Sequence, residues 1–149
     1  MKNLSTYALI VAMAAVTASC KKDSEDAPAP TKSELLTAKN WRLTDVKLAG
    51  TPIYNSGLFD NCLKDNLYKF NLNKALTIDE GATKCDPTDP QTQTGSWDFT
   101  TNETRLKITD SFGDSQEGEI ATLSSTSLVL RDPNYQGSGQ VAELIYTAQ

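Results

Sequence analysis

The sequence predicts an all-β domain, an eight-stranded antiparallel barrel or half-barrel entered through one short helix. Two observations carry that expectation. Short strand-like runs recur roughly every ten residues between Trp41 and Tyr146, separated by clusters of Gly, Asn, Asp, Pro and Ser. No helical periodicity appears after Asn40. Eight such runs match the number of strands that closes an up-and-down barrel with a small interior, and closure removes the unpaired edges that invite aggregation.

Residues 1–19 read as a signal peptide. Lys2 supplies a positive start, and Tyr7–Val16 is an apolar run of about ten residues, too short for a bilayer that needs ~20. Thr17-Ala18-Ser19-Cys20 follows. This resembles the bacterial lipoprotein signal, with Thr17 where that family carries an aliphatic residue, and it implies that Cys20 is lipidated, palmitate included, as the first mature residue. The alternative is an ordinary secretory signal cut near Ala18. Residues 21–32 (KKDSEDAPAPTK) hold no aliphatic larger than alanine and cannot offset their ordering entropy, so residues 20–32 read as a lipidated tether. A Pro-rich extended chain of that length reaches at most ~37 Å at ~3.1 Å per residue. The expected location is the cell outer membrane, lipid-anchored, on the periplasmic face or the cell surface.

In the expected domain, residues 33–149, Ser33 is a suitable N-cap for a helix over Glu34–Ala38. The strand-like runs are Trp41–Leu48, Leu67–Phe70, Ala75–Asp79, Gly95–Phe99, Arg105–Thr109, Gly118–Leu123, Ser127–Arg131 and Ala142–Tyr146. Trp97-Asp98-Phe99 and Leu106-Lys107-Ile108 show the alternation of a half-buried strand. Gly50–Asn66 and Cys85–Thr94 are irregular, and Pro87 and Pro90 cannot donate to a ladder.

Setting Cys20 aside, Cys62 and Cys85 form an even pair, which in an exported protein reads as a disulfide, the alternative being two separate buried thiols. They flank a hairpin whose turn is Asn71–Lys74. Placing Tyr68, Phe70 and Leu72 on one face with Leu76 and Ile78 demands an even index sum across the ladder. The cysteine sum is odd, so these residues belong in irregular flanks or beside a bulge.

Composition excludes several function classes. The chain has no histidine, which removes Ser-His, Cys-His and His-ligated metal mechanisms. Three cysteines are too few for a four-thiolate site. A net charge of −5 argues against nucleic acid. Asp86 with Asp89, and Asp110 with Asp114 and Glu117, lack calcium-loop spacing and sit where Asp stabilises turns. Gly137-Ser138-Gly139 lacks the context of a phosphate loop and reads as a flexible connection. No catalytic residue, metal or cofactor is expected.

The succession Asn40-Trp41, Asp60-Asn61-Cys62, the Tyr68–Phe70 strand, Gly81-Ala82-Thr83-Lys84-Cys85-Asp86-Pro87, Gly95-Ser96-Trp97 and the Leu106–Ile108 strand resembles the lipocalin-like domain of Gram-negative outer-membrane lipoproteins, over most of residues 33–149. Asn40-Trp41 stands where lipocalins carry Gly-x-Trp on the first strand. The resemblance implies a calycin-type barrel or half-barrel. The functional expectation is a non-catalytic, lipid-anchored module holding a small apolar or amphipathic ligand. Phe70, Trp97, Phe99 and Tyr146 are its candidate lining and Arg131 the candidate guard at the mouth, unless these aromatics simply fill the core. The alternative is a protein-interaction or structural subunit of a cell-envelope assembly, docking a partner protein through loops such as Tyr54–Asp60.

Overall fold

The computed structural model describes residues 28–149. The expected signal segment, Cys20 and most of the tether lie outside the described residues. The helix, α1, spans Lys32–Thr37 and is capped by Thr31, not Ser33. The Thr31 hydroxyl accepts the Glu34 N–H at 3.2 Å, and the Glu34 carboxylate takes the Thr31 N–H at 2.7 Å. This reciprocal capping box needs Thr-x-x-Glu spacing, which Thr31 has and Ser33 lacks.

Nine strands follow: β1 (Asn40–Leu48), β2 (Thr51–Pro52), β3 (Leu67–Phe70), β4 (Ala75–Asp79), β5 (Thr92–Thr100), β6 (Arg105–Thr109), β7 (Ser115–Leu123), β8 (Ser127–Asp132) and β9 (Ala142–Ala148). The eight expected runs are present, several one to four residues longer. β2 is additional, a two-residue hairpin arm on the end of β1. From β3 to β9 each strand pairs antiparallel with the next, and β1 closes the ring against β9 from Trp41↔Ala148 to Leu48↔Ala142. The result is a closed eight-stranded antiparallel barrel.

One seam is incomplete. β1 pairs with β3 only over Asn40–Arg42. Residues 51–66 cover its upper half instead. The Ile53 N–H donates to the Val46 carbonyl at 2.8 Å, the Tyr54 hydroxyl donates to the Leu43 carbonyl at 3.0 Å, and Ile53 and Phe59 are buried. This stretch is irregular in sequence because it packs as a plug rather than a strand.

Bulges between Leu43 and Asp45 and between Ile120 and Thr122 shift the register by one residue. Without the first, Val46 would swap faces with its neighbours, since side chains alternate with period two. Opposed residues of β3 and β4, such as Tyr68↔Ile78 and Phe70↔Leu76, have the even sum the hydrophobic pattern requires. Cys62 lies in a 3₁₀ turn, Asn61–Leu63, and is bonded to Cys85 in the β4–β5 loop, with Cα atoms 5.1 Å apart. Leu72 departs from expectation: β3 ends at Phe70, and Leu72 sits in the turn, 73% exposed.

The two ends of the barrel differ. At one, α1 closes the opening, and the Trp41 indole N–H donates to the Leu36 carbonyl at 2.8 Å. Trp97 packs edge-on against Phe70 and Phe99, with centroids 5.9 and 5.3 Å away, and its indole N–H donates to the Asn71 carbonyl at 3.0 Å. The Lys74 ammonium caps this cluster 4.0 Å from the Trp97 ring centroid. The other end carries the connecting segments 50–66, 80–91, 110–114 and 133–141.

Candidate functional site

Between the aromatic plug and the loops the barrel contains a cavity of about 200 Å³. Its apolar wall comes from alternate residues of facing strands: Leu43 of β1, Leu106 and Ile108 of β6, Leu130 of β8 and Leu144 of β9. Phe59 and Leu63 close over it from the 51–66 segment. The space exists because Gly118 is the inward residue of β7, directly opposite Leu106. A Cβ there would lie 3.4 Å from the Leu130 Cβ and the Arg131 carbonyl, so anything beyond a methyl has to project into the cavity.

Polar atoms face the same space. Tyr146 is 8% exposed and lines the cavity, and its hydroxyl has no hydrogen-bond partner among the described residues. Burial holds its phenol well above the usual value, with Tyr68 and Tyr135 adding to the effect. The Tyr68 ring stands edge-on to it, centroids 5.5 Å apart. Burial likewise raises the Tyr68 phenol, against the Asn66 side chain, which lowers it. At the mouth, burial raises the Tyr135 phenol first, and the carboxylates of Asp132 and Asp60 raise it further. Asp132 is held by accepting the Asn134 N–H at 2.9 Å.

The disulfide braces this wall. Cys62 sits beside Leu63, and Asn66, buried behind it, donates its amide to the carbonyls of Cys62 (3.1 Å) and Glu80 (3.2 Å). The loop roofing the cavity is thereby tied to the end of β4.

Of the residues singled out from sequence, Tyr146 lines the cavity. Phe70, Trp97 and Phe99 lie together at the helix-closed end. Arg131 is on the outer face of β8, its Nε 3.0 Å from Glu143. Its position was readable: Leu128 and Leu130 point inward, so Arg131 must point out. Phe59 and Leu63 carried no such signal, because nothing periodic orients a residue in an irregular plug. Asp86 accepts the Thr88 N–H and hydroxyl, and Asp110 accepts the N–H groups of Phe112 and Asp114, both as turn residues. Among the described residues no group of three or more metal-ligating side chains is placed to hold an ion.

A closed antiparallel barrel with one end plugged by a helix and a small apolar chamber beneath the other defines a class of protein that commonly holds small hydrophobic ligands and typically lacks catalysis. The chain belongs to the lipocalin-like domain family, whose model matches residues 37–130. A crystal structure of a lipocalin-like protein from Bacteroides uniformis is similar, with a TM-score of 0.51 at 15% identity, covering 77% of this chain and 99% of that one. A DUF4847 family protein from Bacteroides vulgatus gives a TM-score of 0.49 at 12% identity, covering 78% of this chain and 96% of that one. No curated protein matches the sequence.

Proposed function

We propose that this protein is a lipid-anchored, non-catalytic module of the cell envelope that holds one small apolar or amphipathic molecule inside its barrel. The observation that carries this reading is the cavity of about 200 Å³, open at the loop end, with the Tyr146 hydroxyl facing it without a hydrogen-bond partner among the described residues. A ligand with a complementary polar atom pairs with that hydroxyl. The volume lies below the ~300 Å³ at which drug-sized sites begin, so the ligand is compact, of roughly ten non-hydrogen atoms.

The placement of α1 fits an anchor at Cys20. The helix caps the closed end, and the Lys32 ammonium donates to the Glu103 carbonyl in the β5–β6 turn there. A tether entering at that end leaves the mouth facing away from the membrane. A second reading, docking of a partner protein, is favoured by apolar side chains on the mouth loops: Leu58 is 79% and Phe112 88% exposed. Tyr54 and Phe59 of the same loop are turned inward.

The test is native mass spectrometry of the full chain purified from its own membrane after growth with labelled palmitate. Label on a peptide beginning at Cys20, with a small molecule released on unfolding, supports the reading. An empty barrel carrying a stoichiometric protein partner supports docking instead, and an unlabelled Cys20 removes the anchor.

A further inference from the structure

We propose that the cavity selects a small amine, a compact apolar body carrying one protonated nitrogen, over a carboxylate of the same size. The inference rests on the ligand-binding reading above and adds the charge of the ligand.

Among the described residues, neither lysine nor arginine lines the cavity. A site for a fatty acid or other carboxylate needs a cation or a set of fixed N–H donors to replace the water lost on entry, since an unpaired buried charge is strongly disfavoured. Three cations adjacent in sequence to lining residues are engaged elsewhere. Arg131 pairs with Glu143 on the outer face, Arg105 pairs with Glu117 there, and Lys64 lies 4.9 Å from the Tyr54 ring centroid, behind the roof.

The acidic side is asymmetric. Glu117 belongs to the lining, but its carboxylate is taken by Arg105 and the Thr100 hydroxyl. Asp132 is inward-facing on β8, in register with Leu128 and Leu130, and forms no ion pair among the described residues. Asp60 lies close enough to act on the same Tyr135 phenol as Asp132. An uncompensated carboxylate therefore stands at the mouth of an apolar chamber, in a protein of net charge −5. A cation is drawn toward such a mouth and an anion is repelled.

The aromatic lining reinforces the preference. Phe59, Tyr68, Tyr135 and Tyr146 all contribute to the wall, and the face of an aromatic ring attracts a cation through its quadrupole. The Tyr146 hydroxyl, lacking a partner, accepts from an N–H as readily as it donates. An amine places its hydrocarbon against Leu106, Ile108 and Leu130 and its nitrogen among tyrosine oxygens and the Asp132 carboxylate. Among the described residues a carboxylate meets only neutral donors in the lining, the amides of Gln116 and Gln136 and the tyrosine hydroxyls, and no cation.

The experiment is calorimetric titration of the full chain at low ionic strength with three matched probes: phenethylamine, phenethyl alcohol and phenylacetate. The amine is expected to bind at least tenfold more tightly than the alcohol, and phenylacetate most weakly. Asp132→Asn, which keeps an acceptor for the Asn134 N–H, is expected to erase the amine's advantage over the alcohol. Gly118→Leu is expected to abolish binding of all three. Equal affinities, or a preference for phenylacetate, with binding still lost in Gly118→Leu, overturn the charge inference and leave the cavity reading standing. Failure of all three probes to bind overturns both, as does binding that survives Gly118→Leu.

Discussion

Trp41 of β1 and Leu36 of α1 are joined across the closed end of the barrel: the indole N–H donates to the helix carbonyl at 2.8 Å, and both side chains are fully buried. The carbonyls of a helix's last turn have no partner within the helix, so this bond supplies one from the barrel. Trp41→Phe keeps a ring but leaves the Leu36 carbonyl buried and unpaired, with a void where the indole was. The expected loss is about 2–4 kcal/mol in urea denaturation. An unchanged midpoint would show that the helix is not held this way.

Two inward glycines should respond oppositely to alanine. A Cβ on Gly95 would lie 2.3 Å from the Thr109 carbonyl, a contact that only a backbone shift relieves. Gly95→Ala is expected to cost about 2–3 kcal/mol. At Gly118 the methyl meets ordinary contacts and reduces the freedom of the unfolded chain, so Gly118→Ala should stabilise by about 0.5 kcal/mol. Thermal melts of the two variants, compared with the parent protein, decide the matter. Destabilisation by both would mean that the chamber does not tolerate even a methyl.

Reducing the Cys62–Cys85 bond opens a loop whose ends are 23 residues apart. The chain-entropy treatment puts the loss near 3 kcal/mol. Because Cys62 is next to Leu63 in the cavity roof, reduction should also weaken ligand binding, which loop flexibility remote from the cavity would not do. Denaturation midpoints and probe affinities with and without reductant measure both effects. Retention of full affinity under reducing conditions would separate the roof from the bond.

Tyr146 provides a pH signature. Its phenol, and that of Tyr68, are held above the usual value of 10.0 by burial. The folded state therefore keeps protons that the unfolded chain releases near pH 10, and the sign follows by linkage. Stability is fully present below pH 10 and falls as pH rises above it, toward the raised folded values. Tyr146→Phe removes one of these protons and a cavity-facing hydroxyl that has no hydrogen-bond partner among the described residues. It should flatten the alkaline loss and leave stability at neutral pH unchanged or slightly raised, while lowering affinity for a hydrogen-bonding ligand. A lower melting temperature at pH 7 would count against the unpaired hydroxyl.

Acid acts on the other end of the barrel. Thr31 holds the exposed Glu34 carboxyl below its usual 4.5 through backbone and side-chain hydrogen bonds. The stabilisation it gives the capping box is present above that value and is lost as pH falls through the lowered one. Helical signal should fade there before the barrel's strand signal does, and simultaneous loss of the two would tie the helix more tightly to the barrel than the cap alone does.

Strand positions were legible because a strand's evidence is local. Leu106-Lys107-Ile108 alternates within three residues, and Asn71–Lys74 and Ser124–Thr126 carry turn chemistry that stops the ladder. Leu67–Phe70, Ala75–Asp79 and Arg105–Thr109 were delimited to the residue on that basis. The parity of Cys62 and Cys85 was similarly readable, since period two leaves no freedom between face and index. Thr31 was overlooked as a cap because Ser33 offers the same hydroxyl, and only Glu34 three residues beyond Thr31 distinguishes them.

The site divides along the same line. By itself the sequence determined the alternation that turns Leu128 and Leu130 in and Arg131 out, the even pair of cysteines, and the exclusion of histidine chemistry. Only the tertiary structure decided that Phe70, Trp97 and Phe99 gather at the end closed by α1, while Tyr68 and Tyr146 face an open chamber. Alternation assigns a residue to the inside of a barrel but not to a height along its axis. That height depends on how far each strand is staggered against the next, on the bulges at Thr44 and Ala121, and on the β1–β9 pairing across about a hundred residues. The cavity itself is the volume that remains where Gly118 faces Leu106, a sum over eight strands that no single segment encodes.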